Sequence, residues 1–210
     1  SENLFKGLAP WMQRLPGGLI HVNVVGCALF AAISGSSAAT VATVGKMSIP
    51  ELRKRKYPEK ILLGSLAGSG TLGLLIPPSI ILIIYGVTVQ ESIAKLFIAG
   101  IIPGIMIALI FMSYVIVWSL INKKSMPKSN ENSSFLEKVK KSKQLMPVVL
   151  LILAVIGSIY TGIATATEAA SLGVVGALIL SYLQKSLNIE TFKDSLLGAT
   201  KTSCMIAFIL

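Results

Sequence analysis

Two stretches of this sequence gather oxygen donors and helix-breaking residues inside otherwise apolar runs. The first is Ser34-Gly35-Ser36-Ser37, and the second is Gly68-Ser69-Gly70-Thr71-Leu72-Gly73-Leu74-Leu75-Ile76-Pro77-Pro78. Proline chemistry sets what the second can do. Pro77 has no N–H for the Gly73 carbonyl, Pro78 has none for that of Leu74, and Pro77 pushes Ile76 out of the helical region. With Gly68, Gly70 and Gly73 upstream, the whole stretch is expected to unwind, exposing carbonyl oxygens and the hydroxyls of Ser69 and Thr71. The plainer alternative is a kink satisfied by a neighbouring helix. Two prolines, three glycines and a second break nearby favour a binding role. Carbonyls and hydroxyls satisfy a hard cation, and arms leaving Ser37 and Pro78 turn the partly positive ends of helices toward an anion. Ser36, Ser37, Ala38 and Thr71 are therefore the candidate contacts for an anionic substrate.

What is missing narrows the choice of ion. No Asp, Glu, Lys or Arg occurs from Leu19 to Gly45, from Ile61 to Gln90 or from Leu96 to Ile121. Proton-coupled membrane proteins use carboxylate or His relays. His21 is the only His, near the start of the first region, where capping or pairing is the expected role. Oxygen-rich breaks with no titratable group suit Na⁺ better than H⁺. A third segment, Thr165-Ala166-Thr167-Glu168, has two readings. Thr167 is expected to cap a helix starting at Glu168, whose charge suits that end. Alternatively, Thr165, Thr167 and Glu168 lie near the outer face of a transport path. Cys27 and Cys204 are far apart and inside apolar stretches, which suggests neither a metal site nor a disulfide.

The elements that must position these groups follow from composition. Of 210 residues, 53% are hydrophobic and 13% charged, and the mean hydropathy is +0.77. Soluble domains carry about 25% charged residues, so a soluble enzyme is excluded. Apolar runs near the ~20 residues that span a bilayer recur along the chain. The net charge of +10 does not point to nucleic acid, because Lys and Arg sit in short segments between apolar runs, as cytoplasmic anchors do. The expected fold is an all-α integral membrane protein lodged in a lipid bilayer.

The charges also set a path. Residues 1–16 read as an amphipathic interfacial helix. Residues 51–60 and 122–144 are basic and cytoplasmic, and 61–121 holds the broken span and a second span between them. A helical pair occupies 145–185, and 186–210 begins a further element that stops inside an apolar run, so a piece of a longer chain is expected. Segment 17–50 has basic flanks on both sides, which one crossing cannot satisfy. Two arms of about 14 residues are each too short to cross the core, so this segment reads as a re-entrant hairpin open to the cytoplasm. Its tip at Ser34–Ser37 would be non-helical backbone at membrane depth, which only protein or a water-filled cavity can surround. A hairpin beside a broken span is the architecture of secondary transporters.

Five segments occur in an order that carries a resemblance: Leu19-Ile20-His21-Val22-Asn23-Val24-Val25, Ile33-Ser34-Gly35-Ser36-Ser37-Ala38-Ala39, Leu75-Ile76-Pro77-Pro78-Ser79-Ile80, Ile98-Ala99-Gly100-Ile101-Ile102-Pro103-Gly104 and Thr165-Ala166-Thr167-Glu168-Ala169-Ala170. The series resembles the large membrane (permease) subunit of TRAP transporters, the tripartite ATP-independent periplasmic family, from about residue 15 onward. The resemblance implies a sodium-coupled importer of small organic acids, such as C4-dicarboxylates or sialic acid, in the bacterial inner membrane. It implies an elevator mechanism, a small membrane subunit as partner and a periplasmic binding protein that delivers substrate. One cation site would use Ser34 and Ser36 with Gly73, Ile76 and Pro78. The family's first spans and its second half, with a second hairpin and cation site, have no counterpart here.

Two other classes compete with this reading. An intramembrane serine hydrolase would need His21 within hydrogen-bond reach of Ser36 or Ser37, yet His21 lies 15 residues before Ser36, nearly a full hairpin arm away. A non-transporting channel or assembly subunit would have no need of paired breaks with freed carbonyls.

Overall fold

The computed structural model describes residues 2–127 and 145–209, and these form helices and turns with no strand. Most of the expected basic segment 122–144 lies outside the described residues. Two compact units divide the chain, Ser1–Val149 and Leu150–Leu210.

The first unit contains α1 (Glu2–Met12), α2 (His21–Ser34), α3 (Ser37–Lys54), α4 (Glu59–Gly70), α5 (Ile80–Val89) and α6 (Ile93–Ile121). Helix α1 packs on protein through Phe5, Leu8 and Ala9, which are buried with Leu19, Ile20, Leu52 and Leu62, while Trp11 is exposed. Helices α2 and α3 form an antiparallel pair, and α4 packs against both. Between lipid-embedded helices the hydrophobic effect supplies little drive, so small residues and hydrogen bonds must hold them. The α2–α4 contact shows both. Asn23 Nδ2 donates to the Leu62 carbonyl at 3.2 Å and to Ser65 Oγ at 3.0 Å. One turn further along, buried Cys27 sits beside Ser69, whose hydroxyl donates to the Ser65 carbonyl.

A polar clasp closes the end of this unit where α2 begins. Tyr57 Oη accepts from the Leu19 N–H at 3.1 Å, and His21 Nε2 donates to the Pro16 carbonyl at 2.8 Å. His21 therefore has the pairing role expected of it. Helix α6, 29 residues long with a mean hydropathy of 2.5 over an 18-residue stretch, is long and apolar enough to cross a membrane. It exposes Ile102 (77%), Ile105 and Leu109, a surface suited to lipid rather than water.

The second unit holds most of α7 (Met146–Tyr160), then α8 (Ala166–Leu183) and α9 (Ile189–Ile209). Helix α8 also meets the length and hydropathy needed to cross a membrane. It approaches α7 through glycines, Gly173 facing Val155 and Gly176 facing Leu151.

Two local expectations are corrected. Gly68, Ser69 and Gly70 do not unwind, because α4 runs through them to Gly70 before tightening into a 3-10 turn at Thr71–Leu74. The proline effect reaches back only to the carbonyl four residues earlier, and the Ser69 hydroxyl is buried on its own helix instead of being exposed. The cap of α8 is Thr165, not Thr167: Thr165 Oγ1 accepts from the Glu168 N–H at 3.3 Å while Glu168 Oε2 accepts from the Thr165 N–H at 2.8 Å. The Thr-x-x-Glu spacing satisfies two end N–H groups reciprocally, whereas a cap at Thr167 would place Glu168 one residue beyond it.

Candidate functional site: the hairpin tip against the broken helix

The turn between α2 and α3 needs only two residues. Gly35 sits at φ 59°, the left-handed conformation that ends helices and that glycine adopts without penalty. Its N–H donates to the Ala31 carbonyl at 2.9 Å. Ser36 is extended and starts α3 as its cap, its hydroxyl accepting from the Ala39 N–H at 3.4 Å. Ser34 and Ser37, expected in the turn, are the last and first residues of the two helices.

Hydroxyls crowd this tip. Ser34 Oγ lies 3.0 Å from Thr40 Oγ1, and Thr40 Oγ1 donates to the Ser36 carbonyl at 2.7 Å. The Ser36 carbonyl also takes the Thr40 N–H at 2.9 Å. Ser37 Oγ is different. It is buried, yet has no hydrogen-bond partner among the described residues. A buried hydroxyl left unpaired is costly, and here it sits at the N-terminus of an 18-residue helix.

The broken helix meets the tip at Gly73. A Cβ built there would lie 2.9 Å from the Ser37 nitrogen, 3.0 Å from the Ser36 carbonyl carbon and 3.1 Å from the Ser37 Cα. All three are backbone, so only glycine allows the approach. A second contact lies beyond the prolines, whose shared peptide bond is cis. The Ile80 N–H donates to the Gly35 carbonyl at 3.3 Å, and a Cβ on Gly35 would lie 2.6 Å from the Pro78 carbonyl oxygen. The hairpin tip is thus held between both sides of the break.

The structure therefore brings Ser34, Ser36, Ser37, Gly73 and Pro78 together. Ile76 stands on another side, against α6, its Cγ1 lying 3.0 Å from where a Gly104 Cβ would be. Ala38 is exposed next to the tip. The Thr71 hydroxyl is exposed and donates back to the Gly68 carbonyl at 2.7 Å. Thr165, Thr167 and Glu168 belong to the second unit. There Thr165 and Glu168 form the cap, and the Thr167 carbonyl accepts from Ser171 Oγ at 3.2 Å.

Sequence reasoning missed three participants: Thr40, Ser79 and Gly100. Thr40 follows Ser36 by one helical turn, a spacing that signals a hydroxyl returning to the carbonyl of the cap. Ser79, directly after the prolines, donates to the Leu74 carbonyl at 2.6 Å. That carbonyl was expected to be free. Gly100 faces the Leu75 carbonyl oxygen, 2.7 Å from where its Cβ would be.

Chemically, the site is neutral: hydroxyls, carbonyls and helix N-termini converge without a charged side chain. Such a set can hold a hard monovalent cation beside an anion, and it contains no general acid or base. His21 cannot serve as a base for Ser36, because the 14 residues of α2 separate them by about 20 Å at ~1.5 Å per residue. A cavity of about 310 Å³ lies elsewhere, lined by Pro16, Tyr57, Ser119 and Lys123 among others, and contains none of these site residues.

The family model described as "Tripartite ATP-independent periplasmic transporter, DctM component" matches residues 1–210. The chain is similar to the C4-dicarboxylate TRAP transporter large permease protein DctM of Pseudomonas aeruginosa, 36% identical over 198 residues, covering 94% of this chain and 46% of that protein. It is similar to the sialic acid TRAP transporter permease protein SiaT of Haemophilus influenzae, 33% identical over 212 residues, covering 100% of this chain and 34% of that protein. The ectoine/5-hydroxyectoine TRAP transporter large permease protein of Ruegeria pomeroyi is 34% identical over 201 residues, 95% of this chain and 46% of that protein. The chain thus spans about half the length, or less, of the curated relatives it matches.

Proposed function

The chain belongs to the DctM component family of the tripartite ATP-independent periplasmic transporters, and from that premise we propose that it forms part of the large permease of a sodium-coupled importer of small organic acids. It is a membrane protein whose relatives are transporters rather than enzymes. In the proposed reading it is multi-pass in the bacterial inner membrane and works with a small membrane subunit. A periplasmic binding protein delivers the substrate.

The observation that carries the proposal is the close approach of Gly73 to Ser36 and Ser37. It places a broken helix against a hairpin tip where oxygens can surround Na⁺ and the N-terminus of α3 can face an anion. In this reading Ser34, Ser36, Gly73, Ile76 and Pro78 contribute to the cation site, with Ser37 Oγ as an added oxygen. Ser36, Ser37, Ala38 and Thr71 border the substrate. Ile76 would contribute its backbone carbonyl, since its side chain faces α6. Binding of Na⁺ draws the tip and the break together, so substrate is held when the ion is present. The hairpin is re-entrant, and an elevator movement carries the site across the membrane.

The test is uptake of labelled substrate by proteoliposomes containing the complete permease, its small subunit and the cognate binding protein. A panel of C4-dicarboxylates, sialic acid and ectoine covers the substrates named for the relatives. Uptake should require an inward Na⁺ gradient. Uptake that persists unchanged with a proton gradient alone would overturn sodium coupling.

A further inference from the structure

The break in the α4–α5 span denies a helical donor to the carbonyls of Gly73 and Leu74, and the surroundings decide what becomes of each oxygen near it. Leu72's carbonyl accepts the N–H groups of Leu75 and Ile76 at 3.1 and 2.9 Å. Leu75's carbonyl lies against Gly100 of α6. Leu74's carbonyl, denied a donor by Pro78, takes the hydroxyl of Ser79 at 2.6 Å. Pro77 offers no N–H to the carbonyl of Gly73, the residue that meets the hairpin tip.

Ser79 is in an unusual position for that bond. It is the cap residue of α5, where a serine ordinarily accepts an N–H from its own first turn. Here no side-chain cap bond forms, and the hydroxyl points back across both prolines. The residue is fully buried, so no water competes for the bond. Its neighbour Ile80 meanwhile gives its N–H to Gly35 of the hairpin. One residue thus ties the end of the 3-10 turn to the start of α5, at the point where α5 touches the tip.

We propose that Ser79 is a positioning residue for cation binding: its hydroxyl bridges the break, removes the Leu74 carbonyl from the available oxygens, and fixes the distance between Gly73 and Pro78. This rests on the sodium-coupled reading above. Without the bridge, the Leu74 carbonyl is free to turn toward the ion, and the two sides of the break can separate.

The experiment uses the complete transporter in proteoliposomes with Ser79→Ala and Ser79→Thr, reading the Na⁺ concentration for half-maximal uptake and the discrimination of Na⁺ over Li⁺. Ser79→Ala should raise the half-saturating Na⁺ tenfold or more and narrow the discrimination. Ser79→Thr, which keeps the hydroxyl, should stay near wild type. A wild-type Na⁺ response in Ser79→Ala overturns the proposal. So does equal impairment of the two variants, since the hydroxyl would then not be what matters. Should Ser79→Ala fail to accumulate, Ser79→Cys replaces it: a weaker donor in the same place should give an intermediate rise, and no rise overturns the bridge. Wild-type uptake that ignores Na⁺ refutes the underlying sodium reading instead, and is recognised before any variant is compared.

Discussion

At the scale of single residues, the site is built from groups whose chemistry is ordinary and whose placement is not. Gly73 has backbone on the facing side, so Gly73→Ala would push a methyl to 2.9 Å from the Ser37 nitrogen. No flexible side chain can yield there, and tip and break must separate. Half-saturating Na⁺ for uptake should rise at least tenfold, equivalent to about 1.4 kcal/mol, with little change in abundance. Unchanged Na⁺ dependence in proteoliposomes would remove Gly73 from the site. Ser37→Ala removes a buried hydroxyl that has no protein partner among the described residues. If that oxygen binds the ion, the loss is about 1–3 kcal/mol and Na⁺ affinity falls accordingly. If it does not, the variant gains stability from losing an unpaired polar atom, and the two outcomes have opposite signs in a melting curve with and without Na⁺. Tyr57 provides a control away from the site. Burial raises its phenol above the ordinary value of 10.0, against smaller opposing effects from the Leu19 N–H and from Arg55. A folded pKa above the unfolded one means that Tyr57's contribution is complete below pH 10.0 and is lost as pH rises past it. Tyr57→Phe, which leaves the Leu19 N–H unpaired, should cost about 1–2 kcal/mol of stability at neutral pH without altering the Na⁺ requirement.

At the scale of elements, the hairpin is the decisive unit. Its arms, His21–Ser34 and Ser37–Lys54, are antiparallel and reverse within Gly35 and Ser36. An antiparallel pair entering a membrane returns to its side of entry, which agrees with basic residues at both ends. Arg14 and Lys56 are exposed at those ends, and Glu91 is exposed between α5 and α6. With Cys27 and Cys204 replaced by serine, Arg14→Cys and Lys56→Cys should both react with an impermeant thiol reagent applied to the cytoplasmic face. Glu91→Cys should react only from the periplasmic face. Opposite sidedness of the first two would show that the pair spans the membrane instead of returning. The reversal between the two arms was legible because Ser34-Gly35-Ser36-Ser37 interrupts an apolar run. The extent of the break was not. Proline states which carbonyls lose a donor, but glycines in α4 remain helical when neighbours cover them, as Val41 covers Gly70.

At the scale of the whole molecule, the question is what else a transport cycle requires. A permease served by a binding protein should take up little free substrate. The complete membrane complex reconstituted without that protein should show uptake reduced to background, and full-rate uptake of free substrate would exclude tripartite delivery. The sequence by itself determined the solvent, the helical class and the family. Those follow from hydropathy summed over long runs, from the spacing of charge clusters and from motifs in order, all of them additive along the chain. It also located the oxygen-rich tip and the proline break, since backbone donors are lost wherever proline stands. Only the tertiary structure decided which oxygens remain available. A carbonyl freed by Pro78 is taken by Ser79, a hydroxyl on Ser69 is turned into its own helix, and the carbonyl of Leu75 is covered by Gly100, far away in sequence. Whether a polar atom is satisfied depends on every group within about 3 Å of it, a neighbourhood set by the path of the backbone around Ser69 and Ser79 and by packing between elements at Gly100.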